Sequence, residues 1–177
     1  ATIQTVFDSP TSNTVTSGTG TGWSLLTATS AVTGLNGAAG YLLGTGSEIQ
    51  GILVLANVFL ASIQNATGGP DVLHQAVFGI QADIGGVYTT LPSTVRFVSQ
   101  GARYLAPAGS GHTNLCDIDV SLRVLINTDT AGVSATTQID AVRLIATTLD
   151  LTGAGGQITI VIQRGNLTVI PLHMLKG

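Results

Sequence analysis

Charged side chains are scarce in this chain of 177 residues. Lys, Arg, Asp and Glu together make up 8% of it, whereas they make up roughly a quarter of an average soluble protein. No Lys or Arg occurs before Arg96, and the formal net charge is −3. Because nucleic-acid packaging needs a dense set of phosphate-neutralising cations, this composition argues against a direct nucleic-acid partner.

Cysteine and long apolar runs are scarce too. Cys116 is the single cysteine, which excludes the intramolecular disulfide framework that staples many small secreted domains. The most apolar stretch, from Ile52 to Ile63, is well short of the roughly 20 residues that a membrane-spanning helix needs. We therefore expect a globular protein that packs without disulfides and has no membrane partner.

Residues for catalysis and metal binding are few and dispersed. The three histidines are His74, His112 and His173, and Glu48 is the sole glutamate, so neither a clustered His and Glu metal site nor a pair of catalytic glutamates is available. Ser110 lies near His112 but lacks the G-x-S-x-G turn that exposes a nucleophilic serine. We expect no enzyme, no cofactor and no metal.

What the sequence has in quantity is alternation of apolar and polar residues. Between Asp117 and Ile126 every second residue is a branched aliphatic one, and the residues between them are polar except Leu125. A period of two predicts a strand with one buried face. Cys116 has the parity of the buried set and is expected to be an inert core thiol. A similar alternation from Gln157 to Arg164 predicts a second such strand.

The stretch Gln138 to Leu151 is apolar at both parities. A strand that is apolar on both sides must be covered on both sides, by a second layer or by another chain. Arg143 lies inside this stretch, and we expect it to form an ion pair with Asp140 or with an aspartate of a neighbouring strand.

A second ambiguous region is Glu48 to Gln64, whose apolar residues also fit a helical stripe. Gly51, several β-branched residues and the apolar run from Val72 to Ile84 beyond a turn-rich segment favour a long hairpin instead. About nine or ten short strands separated by Gly, Pro, Asn and Asp then predict the fold class. It is all-β, an antiparallel two-sheet sandwich, jelly-roll-like, with an extended N-terminal arm over residues 1–22 and a single β-sandwich domain over residues 23–177.

A chain this poor in charge is expected to hide part of its surface against other copies or a larger scaffold. The polar arm can gain backbone hydrogen bonds by lying along a neighbour. The predicted interface residues come from the arm, the two-sided strand and the last strand. They are Thr2, Ile3, Val6, Phe7, Val142, Arg143, Leu144, Val169 and Ile170.

The chain rich in Thr, Gly, Val and Ala, with its ATIQTVF start and IVIQRGNLTVIPLHML finish, resembles the capsid decoration or cement proteins of tailed bacteriophages. The resemblance implies a homotrimer, made in the host cytoplasm, that sits on the outer capsid surface. It also implies that the protein clamps adjacent subunits of the major capsid protein and stabilises the shell without catalysis.

Two alternatives stay open. A phage fibre or tail-tip domain would bind a host receptor and would expose aromatic side chains, for which Tyr41, Tyr88 and Tyr104 are the main candidates. A small carbohydrate-binding or cupin-like protein would need clustered metal ligands or an aromatic cleft.

Overall fold

The computed structural model describes residues 4–8, 11–17, 24–25, 41–43, 49–65, 74–99, 112–134, 136–150 and 156–173. These residues form eleven strands and one short 3₁₀ turn, η1, at Pro92–Thr94. The strands are β1 (Gln4–Asp8), β2 (Thr11–Ser17), β3 (Ser24–Leu25), β4 (Tyr41–Leu42), β5 (Ile49–Asn65), β6 (His74–Ile84), β7 (Val87–Thr90), β8 (Arg96–Ser99), β9 (His112–Ile126), β10 (Gln138–Asp150) and β11 (Gly156–His173). No helix long and apolar enough to cross a membrane occurs in the described ranges.

The strands form two antiparallel sheets. In sheet A the order is β1-β11-β5-β9, and β2 pairs with β11 beyond the end of β1. In sheet B the order is β3-β10-β6-β7, with β4 also on β10 and β8 also on β6. The expected all-β sandwich is confirmed.

The connectivity is that of a jelly roll. β1 with β2, β3 with β4, and β7 with β8 each occupy one position in a sheet, so each pair counts as one interrupted strand. Numbered that way along the chain, sheet A has the order 1-8-3-6 and sheet B the order 2-7-4-5. Successive strands therefore often change sheet, which is how two Greek keys wrap one core.

The core lies between the sheets and is filled by aliphatic side chains of one parity from each central strand. Phe78 is the largest of the fully buried side chains. Fully buried neighbours come from both sheets: Ile52, Val54, Val58, Leu60, Ile80, Ile126, Ile139, Val142, Leu144, Leu167 and Val169. This close-packed layer supplies the stability that a chain with one cysteine cannot draw from disulfides.

β9 confirms the strand predicted from alternation. Val120, Leu122 and Ile126 are buried, while Asp119 and Arg123 are exposed. The alternation stops at a bulge, because Leu60 and Ser62 of β5 face Ile118 and Leu115 of β9. Asp117 lies in this bulge with φ of 46°, so the parity assigned to Cys116 cannot be carried through it. The side chain of Cys116 lies outside the described residues.

The long hairpin predicted from Glu48 to Ile84 is wrong, although both of its strands exist. β5 pairs with β9 and β11 in sheet A, whereas β6 pairs with β7, β8 and β10 in sheet B. The chain crosses from one sheet to the other between them, because a jelly roll joins these two strands over the core and not side by side.

Two further segments differ from expectation. The strand predicted from Gln157 to Arg164 is part of a longer strand, β11, which has bulges on either side of Ile162 where it pairs with β5. Residues 4–8 and 11–17, assigned to the N-terminal arm, lie along β11 of their own chain. These two segments pair within the chain, and strand addition by the arm against a neighbour stays a prediction.

A two-residue turn joins β6 to β7. Gly85 and Gly86 have φ of 63° and 90°, and Ile84 pairs with Val87. Two successive positive φ values match the type I′ turn whose twist suits a hairpin, and glycine adopts them without strain. The turn places Tyr88 beside Asp83 across the two strands.

Candidate interaction surfaces

The outer face of sheet A carries a cluster of aliphatic side chains that no described residue buries fully. The register places Leu53 of β5 between Leu125 of β9 and Ile170 of β11. Leu55, the next outward-facing residue of β5, lies on one side of this row, and Leu172, the next outward-facing residue of β11, lies on the other side. Leu125 is 47% exposed and Leu172 is 37% exposed. We call these five residues, Leu53, Leu55, Leu125, Ile170 and Leu172, the apolar patch.

Gly51 helps to keep the apolar patch flat. A Cβ added at Gly51 would lie 3.0 Å from Leu125 Cδ1 and 3.2 Å from the carbonyl oxygen of Ile126. Leu125 therefore lies across the bare backbone of β5 at this point. A side chain at position 51 would push Leu125 away from the sheet.

Polar residues bound the apolar patch on the same face. Asn57 of β5 lies beyond Leu55 on this face and is opposite Ser121 of β9. The Ser121 hydroxyl donates a hydrogen bond to Asn57 Oδ1 at 2.6 Å. Beyond that bond Phe59 pairs with Asp119, and Arg123 pairs with Leu55 at the edge of the patch. An apolar centre with a polar rim is the usual arrangement of a protein-binding surface.

The outer face of sheet B is different at its centre, where the outward-facing residues of β6 and β10 are covered within the chain, although Phe97 of β8, opposite Val77, is 59% exposed. Val77 and Gly79 of β6 and Ala141 and Ile145 of β10 are buried, although they point away from the core. The sequence required a cover on both sides of β10 and left open whether a second layer or another chain supplies it. The chain itself supplies it.

Arg143 anchors a polar cluster on this outer face. Its Nε donates to Gln81 Oε1 at 2.7 Å, and Gln81 Nε2 donates to the Thr90 hydroxyl at 3.0 Å. The guanidinium carbon lies 3.7 Å from the centroid of the Tyr88 ring. Within the described ranges an amide and an aromatic ring, and not the expected aspartate, are the partners of Arg143.

The same cluster contains an unsatisfied atom. Asp83 Oδ1 is buried and has no hydrogen-bond partner among the described residues. Since the Arg143 guanidinium covers one face of the Tyr88 ring, that face is closed to a stacked sugar.

The predicted interface residues fall into three groups. Val142, Leu144 and Val169 are fully buried in the core of the chain, so their side chains have no surface to offer a partner. Arg143 and Ile170 are half-buried, and Ile170 belongs to the apolar patch. Val6 and Phe7 pair with Leu167 and Asn166 along the backbone of β1 and β11; Thr2 and Ile3 lie outside the described residues.

Most of the apolar patch was missed from the sequence. Leu125 carried a signal, because it is the single apolar residue on the polar side of an otherwise strict alternation. The sequence carried no such indication for Leu53 and Leu55, since β5 is apolar at both parities and the sequence does not say which side stays uncovered. β10 is also apolar at both parities, so the sequence does not show which of its sides faces the core. Val142 and Leu144 were predicted to lie at the interface, and the structure places them in the core.

The described residues hold no group of three or more His, Cys, Asp or Glu side chains that could bind a metal ion. The hydrogen bonds among them instead join backbone and side-chain groups of neighbouring strands and turns, such as the bond from Ile80 N to the buried Thr94 hydroxyl at 2.9 Å. These hydrogen bonds stabilise the packing of strands and turns against one another.

No family model and no curated protein matches this chain. Comparison with solved structures found a chain of the infectious bursal disease virus Gx strain with 14% identity and a TM-score of 0.47. The VP2 subviral particle of the same virus gave 16% identity and a TM-score of 0.45. Both matches cover 97% of this chain and 32% and 33% of the other, so it spans about a third of their length. The identities are too low to assign a family.

Proposed function

We propose that this protein is a structural component of a virion, which works as a homo-oligomer and stabilises the shell by binding between major capsid subunits on its outer surface. It performs no catalysis in this role. The sequence resemblance to decoration proteins and the jelly-roll sandwich both support the proposal. The trimeric state is the expectation carried by that resemblance.

The apolar patch is the observation that carries the proposal. The centre of one outer face, over β6 and β10, is closed by the chain itself, with Phe97 exposed beside it on β8, whereas the centre of the other outer face presents Leu125 and Leu172 to solvent. A surface of this kind on a chain with 8% charged residues has few ionic groups to desolvate when it meets another protein. Burial of each exposed leucine adds about 1.5–3 kcal/mol of hydrophobic stabilisation at most.

Side-chain entropy favours the same use. The patch is made of Leu and Ile on extended strands, which lose about 0.5–1 kcal/mol each when they are fixed, roughly half the loss for Lys or Arg. The neighbouring polar rim, with Ser121 held by Asn57, is already ordered in the free chain. Both features lower the cost of docking on a rigid shell.

Binding to a purified particle tests the proposal. The double variant Leu125→Ser with Leu172→Ser should lower the copy number per particle at least tenfold while the variant stays folded. Val87→Ser is the matched control, because Val87 is also exposed but lies on β7 of sheet B. Unchanged attachment of the double variant, or equal loss in the control, would contradict the role of the patch.

Light scattering tests the oligomer separately. The wild-type protein at micromolar concentration should have the mass of more than one chain. A monomer at every concentration measured would remove the homo-oligomer from the proposal.

A further inference from the structure

β9 ends sheet A with an edge that no other described strand covers. It pairs with β5 on one side and has no partner strand in the described residues on the other. A long free edge offers unpaired N–H and C=O groups, and proteins either block such an edge or use it to bind another strand.

The regular part of β9 has a self-complementary sequence. From Ile118 to Val124 the residues are IDVSLRV, with Ser121 at the centre. Asp119 and Arg123 stand at equal distances from Ser121 and have opposite charges. The bulge at Asp117 limits this regular segment on one side.

Burial follows the same symmetry. Ile118 and Val124 are packed against the core only in part, whereas Val120 and Leu122 between them are buried. Asp119, Ser121 and Arg123 are exposed on the outer face. The two incompletely buried positions are thus equidistant from Ser121, as are the two charges.

We propose that two copies of this chain join through β9 in antiparallel register, with a two-fold axis at Ser121. Arg123 then faces Asp119 of the second copy, and Ile118 faces Val124 of the second copy, each contact occurring twice. Sheet A becomes continuous across the two copies. The inference deepens the proposed function, on whose homo-oligomer it rests. Because a two-fold contact does not occur inside a three-fold trimer, it joins either two single chains or two trimers.

The charges favour this register over a merely blocked edge. Charges that only repel other strands need no particular arrangement of sign. Here the antiparallel register places unlike charges opposite each other, and a cross-strand pair of this kind is stabilising. Asp119 also has an interaction within its own chain, so the contact with the second copy would be an additional one.

A disulfide across the axis gives the most direct test. In a Cys116→Ser background, Ser121→Cys places one thiol opposite its own copy, at a Cα separation of about 4.5–5.5 Å that suits a disulfide. Mild oxidation should convert most of the protein to a covalent dimer on a non-reducing gel. Arg123→Cys in the same background is the control, because its thiol would face Asp119 and should cross-link little.

Charge exchange provides the second test. Arg123→Asp and Asp119→Arg should each halve the mass measured by light scattering, and the two changes together should restore it. Arg96→Asp, on β8 of sheet B, should leave the mass unchanged. Circular dichroism shows whether each variant is folded.

Three results would overturn the inference. They are equal cross-linking at positions 121 and 123, absence of cross-linking at 121, or a folded Arg123→Asp variant that keeps the wild-type mass. Normal copy number on particles together with any of these would leave the proposed function standing. Loss of attachment with intact cross-linking at 121 would remove the proposed shell role and leave the contact between copies.

Discussion

The two outer faces of this sandwich are built from similar aliphatic residues but differ in how far these residues are exposed. In sheet B, Val77 and Ile145 point away from the core and are nonetheless buried by the chain. In sheet A, Leu53 and Leu55 occupy the corresponding outer positions of β5 and stay half-exposed. An apolar outer face by itself does not indicate an interface, because the chain covers the centre of one such face and leaves the centre of the other open.

The edges of sheet A differ in the same way. On one side β11 is covered along most of its length by β1 and β2. On the other side β9 ends the sheet among the described strands. The covered edge belongs to the folding unit, whereas no described strand continues the sheet beyond β9.

The largest expected effect on stability comes from removing β1 and β2, the two strands that cover the edge of β11. Deletion of residues 1–17 takes away β1 and β2 and leaves the edge of β11 unpaired from Gly156 to Ile162 and from Gly165 to Val169. The free energy of unfolding should fall by several kcal/mol, since each lost backbone hydrogen bond contributes roughly 1 kcal/mol. Urea unfolding measures this loss, and a truncated chain of unchanged midpoint would show that β1 and β2 act as a detachable arm.

The second prediction compares buried and half-exposed aliphatic residues on the outer faces. Ile145 is 1% exposed, so Ile145→Ala should lower the free energy of unfolding by about 2–4 kcal/mol through lost burial and the cavity it leaves. Leu53→Ala on the outer face of sheet A should cost about 1 kcal/mol. Equal losses in urea unfolding would contradict the difference between the two faces.

The third prediction concerns the polar cluster of sheet B. Gln81 is buried and accepts the Arg143 Nε hydrogen bond. Gln81→Ala should therefore cost about 1–2 kcal/mol of stability, because it leaves a half-buried guanidinium nitrogen without its acceptor. Thermal unfolding measures the loss. Ser121→Ala is the control for an exposed side-chain hydrogen bond on sheet A, and a larger loss there would reverse the ranking.

The smallest expected effect on stability is that of Tyr88→Leu. It removes the ring beneath Arg143 while keeping much of the apolar volume, and a half-exposed cation–π contact contributes about 0.5–1 kcal/mol. Thermal unfolding of this variant in parallel with Arg143→Met separates the ring contact from the hydrogen bond to Gln81. No change in either variant would mean that the cluster contributes nothing to sheet B.

Alternation predicted single strands well and their partners poorly. The pattern around Val120 and Leu122 determined a strand and its buried side, because period-two exposure is a local property of an extended chain. The hairpin from Glu48 to Ile84 was wrong because the apolar runs do not encode which sheet each strand joins. Arg143 was expected to pair with an aspartate, but its partner depends on the register between β10 and β6, which brings Gln81 opposite it.

The sequence by itself determined that this chain is all-β and packs without disulfides, since composition and alternation act on each segment independently. Only the tertiary structure decided that β10 is covered on both sides within the chain, that residues 4–8 and 11–17 extend sheet A, and that the apolar patch on sheet A stays open. Those outcomes depend on strand order and register. Both arise from contacts between residues far apart in the chain, which local patterns do not specify.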